Sequence, residues 1–246
     1  MRRPNPSSEG ALRANDRRAM LHGMKDSRID KWTQWCEGTI KDNVLTMYLH
    51  RATWREVSKI IENNGQLPDS YWWQFMWDTY AVTQAVAVRR QADTHKDVAS
   101  LGKLIQEIRD DPSRITRDFW IGLWDPQDEL MLKRAEGGWK KHYAGSTGTH
   151  LDPSIPAADS DALTAAASKV KAYVDRHLAH ADASAASAST TVTLQEVHDA
   201  IDVVGDLFKK YYNLLTASSY GTLVPAIQHN WKAVFREPWL LPGEAG

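Results

Sequence analysis

Lys169 to Asp182 reads KVKAYVDRHLAHAD, with Val170, Val174, Leu178 and Ala181 recurring at steps of three and four residues. That spacing lays one apolar stripe along a helix, which advances about 100° per residue. Arg176 and His180 are four apart and share a face, with His177 beside them. The spacing predicts a helix from Ala157 to about Asp182, with two imidazoles and a guanidinium converging near its end.

Most of the chain on either side carries the same period. Ile29, Trp32, Trp35, Cys36, Ile40, Val44, Leu45 and Leu49 mark a long amphipathic helix, and Trp54, Val57, Ile60 and Ile61 a second register ending at Asn63, Asn64 and Gly65. Asp69 and Ser70 can cap a helix running to about Ala92. Its aromatic residues, Trp72, Trp73, Phe75, Trp77 and Tyr80, surround it, which predicts burial on several sides. Arg89 and Arg90 near its end suit the negative end of the helix dipole.

Thr94 and Asp97 resemble a capping box before a helix that stops ahead of Pro112, and a short element spans 116–124. Asp125 and Pro126 suit the start of another helix, and 143–161 has the Gly, Ser, Thr, Asp and Pro content of a long loop. The low-complexity ASAASASTT, Ala183 to Thr191, suits a flexible connection. Thr193 and Glu196 form a capping box before Val197, Ile201, Val204, Leu207, Phe208 and Tyr211, and a last apolar segment covers 223–240. No alternating strand pattern or internal repeat is visible, so the fold class is all-α, a helical bundle of about seven or eight helices. Residues 1–25 hold six Arg or Lys with few apolar residues, a disordered basic tail, and 26–246 form a single all-α domain.

Thirty basic against 31 acidic residues leave a formal charge of -1, which excludes a global field steering the chain onto nucleic acid or membrane. No apolar stretch reaches the roughly 18 residues of a membrane span, and the single cysteine, Cys36, permits no intrachain disulfide. A cytoplasmic protein without membrane contact is expected. Nine of the 11 tryptophans lie between Trp32 and Trp139, more in keeping with core filling than with base stacking. The glycines of GSTGTH, 145–150, lack the Lys-Ser/Thr ending of a phosphate-binding loop.

Three readings of Arg176, His177 and His180 stand side by side. They are ordinary helix residues, with Arg176 paired to Asp175, Asp182 or a partner helix; or His177, His180 and Asp182 hold a metal, a spacing that is not specific; or they act on a phosphodiester. Metal-free RNA cleavage needs a group exchanging protons near neutral pH and a cation on the phosphorus oxygens, roles that suit histidine and arginine. A symmetric dimer would bring two such sets together.

The stretch from Tyr173 to Asp182, YVDRHLAHAD, resembles the motif region of the HEPN superfamily, particularly its abortive-infection branch. DVASLGKLIQEIRDDPSRITRDFW from Asp97 and WKAVFREPW from Trp231 support the likeness, which extends diffusely over about residues 28–240. The resemblance implies a helical, often dimeric phage-defence or toxin-type endoribonuclease needing neither metal nor cofactor. In such domains an arginine precedes the histidine by four to six intervening residues. His180 then matches the histidine, but Tyr173, Val174 and Asp175 occupy the arginine's positions; Arg176, with three intervening residues, stands in for it. The expected catalytic residues are His180 and Arg176, supported by His177, Asp175, Tyr173 and Asp182. Expected partners are RNA, a second copy of the chain, and an antitoxin or other defence-system protein. The alternative is a non-catalytic helical interaction or RNA-binding protein of such a system.

Overall fold

The computed structural model describes residues 26–64, 70–146, 148–179, 191–227 and 229–236, with backbone alone at 177–179. The expectations for the 1–25 tail, for most of the 183–191 connection, and for Gly65, Asp69, Trp239 and Leu240 lie outside them. Eight α-helices are present among the described residues: α1 (Ser27–Trp35), α2 (Lys41–Glu62), α3 (Tyr71–Gln91), α4 (Leu101–Asp110), α5 (Arg117–Gly122), α6 (Glu129–His142), α7 (Ser154–Tyr173) and α8 (Leu194–Thr216). Extended pairing there is limited to two isolated bridges, Thr116 with His150 and Ala144 with Leu151.

The helix starts show why these segments fold locally. Ser70 Oγ accepts from Trp73 N, and Thr193 and Glu196 complete a reciprocal capping box, so orphan amides at the starts of α3 and α8 are satisfied by their own neighbours. Two other starts differ from the sequence expectation. Ser100, not Thr94, caps α4, because residues 93–99 turn across the end of α3 first. Asp128 caps α6, while Asp125 turns the chain by accepting from Gln127 N. α7 begins at Ser154, with Pro156 within its first turn, where a missing N–H costs nothing.

The expected helix from Arg28 onward is interrupted by a π-helical turn at Cys36–Ile40, where Gly38 leaves helical geometry, and α2 then continues unbroken through both expected registers. α8 is the central element. Ile201, Val204, Phe208, Tyr211, Leu214 and Leu215 are all buried, and α8 packs against α1, α2, α3, α4 and α7. Three tryptophans fill the core with their N–H groups tied down: Trp32 donates to Glu107 at 2.8 Å, Trp120 to the Ala135 carbonyl at 3.1 Å and Trp139 to the Gly148 carbonyl at 2.8 Å.

α3 is not buried all round. Tyr71 is 86% exposed and Phe75 55%, and Trp72 and Trp77 are exposed too. In this half of the helix α2 supplies Trp54, which stacks between Trp73 and Tyr80 at 4.7 and 4.5 Å. Burial begins in the second half, at Tyr80, Gln84, Ala85, Val88 and Gln91. The exposed half leads; the buried half positions the end of the helix.

Candidate functional site

The end of α3 is held on two sides. Gln91 is fully buried and accepts from Leu101 N at 3.2 Å, tying the last turn of α3 to the first of α4. The connecting backbone at Ala92 and Asp93 passes so close to α4 that a Cβ on Gly102 would lie 3.1 Å from the Ala92 carbonyl. Ser100, besides capping α4, donates its hydroxyl to the Asp93 carbonyl. A rigid turn results, and it carries Asp93, His95 and Asp97.

Within this turn Asp93 uses both carboxylate oxygens. Oδ1 accepts the His95 backbone N–H at 2.9 Å, and Oδ2 accepts from Arg89 Nη1 at 2.9 Å. Arg89 in turn directs Nε to Asp175 Oδ1, 3.1 Å away across 86 residues of sequence. Asp175 also accepts from Lys171 at 2.8 Å. The Lys171 hydrogen bond, then the Arg89 one, holds the Asp175 carboxyl below the usual carboxylate range, and Asp175 raises the Arg89 guanidinium.

Arg90 and His95 are exposed at the same end of α3. No hydrogen bond or ion pair reaches the Arg90 side chain among the described residues. The His95 ring is 63% exposed, and its Nδ1 faces Asp97 N at 3.4 Å and Asp97 Oδ2 at 3.7 Å. That leaves Nε2 as the nitrogen turned outward. The site therefore offers an open cation and an open imidazole on a fixed turn.

Of the residues singled out on the sequence, the structure brings Asp175 to this turn. Tyr173, half-buried, packs against the core at the last position of α7. Arg176 is exposed on a π-helical turn, Val174–Ala179, that follows α7. The His177 side chain, His180 and Asp182 lie outside the described residues. No group of three or more metal-binding side chains occurs among the described residues.

A cavity of about 640 Å³ lies elsewhere, lined by Trp54, Met76, Tyr80, Ile227 and Trp231, with the imidazoles of His50 and His229. Among the described residues its lining contains neither arginine nor carboxylate. Tyr80 stands ten residues, roughly 15 Å of helix, from Arg90.

The family model described as HEPN_AbiU2 matches residues 38–234. The chain belongs to that family. It is an abortive-infection-type HEPN domain, and no curated protein and no solved structure matches it. The HEPN spacing of four to six residues between arginine and histidine is met at Arg90-Gln-Ala-Asp-Thr-His95, and also from Arg89 with five intervening residues. Applied to every histidine, that spacing is met here and at Arg17 with His22, and the second pair lies outside the matched residues 38–234, so the two observations together locate this turn. The helix-dipole reading of Arg89 and Arg90 explains their tolerance at the end of α3 but not the histidine that follows. No described helix of this HEPN_AbiU2 chain is long and apolar enough to cross a membrane.

Proposed function

We propose that this HEPN_AbiU2 domain is a metal-independent endoribonuclease of a defence or toxin system, with Arg90 and His95 as its active pair. The observation that carries the reading is the exposure of both groups at one helix end, at the HEPN spacing, on a turn held by Arg89, Asp93 and Ser100. RNA cleavage here is attack of the 2′-oxygen on phosphorus with rupture of the P–O5′ bond. The proton leaving the 2′-hydroxyl is balanced by one delivered to the 5′-oxygen, giving a 2′,3′-cyclic phosphate and a 5′-hydroxyl. His95 Nε2 serves proton exchange or orients the 2′-hydroxyl, and Arg90 stabilises charge on the phosphorus oxygens. One chain supplies one such pair, so a homodimer joining two is the efficient assembly.

The test is incubation of purified protein with total RNA in chelator. Arg90→Ala and His95→Ala should each lower cleavage about 100-fold or more. Arg176→Ala and His180→Ala are carried alongside. Intact RNA with wild type, or equal cutting by all variants, defeats the nuclease reading; loss only in Arg176→Ala and His180→Ala moves the active pair to the chain after α7.

A further inference from the structure

Arg89 is engaged by two carboxylates and stands next to the residue proposed to contact phosphate. Asp175 takes Nε, Asp93 takes Nη1, and the guanidinium is planar, so these two contacts set its plane. Asp93 then spends its remaining oxygen on the backbone of His95. The links form one line: Lys171 Nζ to Asp175 at 2.8 Å, Asp175 to Arg89 at 3.1 Å, Arg89 to Asp93 at 2.9 Å, and Asp93 to the His95 amide at 2.9 Å. Its far end is anchored by Val174, which is 4% exposed and belongs to the core.

We propose that Asp175 is a positioning residue for the Arg90–His95 pair, holding Arg89 from the end of α7 and, through Arg89 and Asp93, setting where the turn presents His95. This rests on the nuclease reading. Without Asp175 the guanidinium keeps a single anchor and can swing about it, so Asp93 loses a donor of fixed direction and the His95 amide loses a fixed acceptor. A purely stabilising role is the competing explanation. Arg89 is 36% exposed and Asp175 31%, and an ion pair that accessible to water contributes little to stability. A displacement of about 1 Å at a reacting group, by contrast, lowers rates up to about 100-fold.

The experiment compares wild type with Asp175→Ala and Asp175→Glu in cleavage of a short RNA in chelator, with melting temperatures and ¹H–¹⁵N spectra of the full chain. Asp175→Ala should lower kcat about tenfold or more with KM and melting temperature near wild type. The Arg89 Nε–H and His95 amide resonances should shift or broaden with it, and Asp175→Glu should recover part of both effects. Wild-type kcat in Asp175→Ala overturns the proposal, as does a rate loss that tracks a fall in melting temperature and is not recovered by glutamate. A wild type that cuts no RNA defeats the nuclease reading instead. The two resonances then decide the clamp by themselves, and if they are unmoved in Asp175→Ala there is no clamp.

Discussion

Replacing Gly205 with alanine sets two effects of opposite sign against each other in the middle of α8. Alanine is better than glycine in a helix interior by about 1 kcal/mol, so propensity alone predicts a gain. The structure predicts a loss. A Cβ at position 205 would overlap Tyr48 Oη and lie 2.6 and 2.7 Å from Cζ and Cε2 of the same ring. The ring has little room to retreat, because Arg51 stacks on it at 4.5 Å and is itself buried against Asp202 at 2.7 Å and the His198 carbonyl at 3.2 Å. Forcing atoms into a packed contact costs about 1–3 kcal/mol, and the buried guanidinium puts this site near the upper end. Less the propensity gain, Gly205→Ala should destabilise by about 2 kcal/mol, a fall of roughly 4–8 °C in melting temperature for a chain of this size. Thermal melts by circular dichroism measure it. Tyr48→Leu in the Gly205→Ala background should cost less than Tyr48→Leu in wild type, since the clash has gone. A Gly205→Ala protein as stable as wild type, or more so, refutes the reasoning that the Tyr48 ring is packed immovably over Gly205.

Gly102→Ala tests the turn rather than the core: its Cβ would meet backbone at Ala92 and Asp93, 3.1 to 3.2 Å away. The turn must yield by a few tenths of an ångström, so RNA cleavage should fall several-fold while stability stays within about 1 kcal/mol of wild type; unchanged cleavage with a raised melting temperature would show that the turn is not held by α4. A pH effect follows from His198, whose Nε2 lies 2.8 Å from Tyr80 Oη. Burial, then the positive charges of Arg51 and Arg55, push its pKa below the ordinary histidine value. The unfolded chain therefore takes up the proton first as pH falls, so the His198 contribution to stability is complete above about pH 6.5 and declines below it. Urea unfolding between about pH 7 and 5 should show His198→Gln losing less stability than wild type over that range; parallel profiles would sink the argument.

Periodicity and caps are properties of neighbouring residues, which is why the sequence by itself determined the all-α class, the α8 stripe from Val197 to Leu215 and its start at Thr193, and narrowed the cap of α3 to Asp69 or Ser70. An apolar pattern also specifies which helices must find a partner, but not which part of a helix a partner reaches. For that reason the aromatic half of α3 reads as core and stands exposed, while the polar Gln84 and Gln91 of its second half are buried among α2, α4, α7 and α8. The arginine-to-histidine spacing at Arg90 and His95 was likewise open to reading in the chain. What only the tertiary structure decided is the division of labour between two adjacent arginines: Arg89 is consumed by Asp93 and by Asp175, and Arg90 is left at the surface. The physical reason is that an ion pair depends on distance in space, and no local pattern encodes a carboxylate 86 residues away.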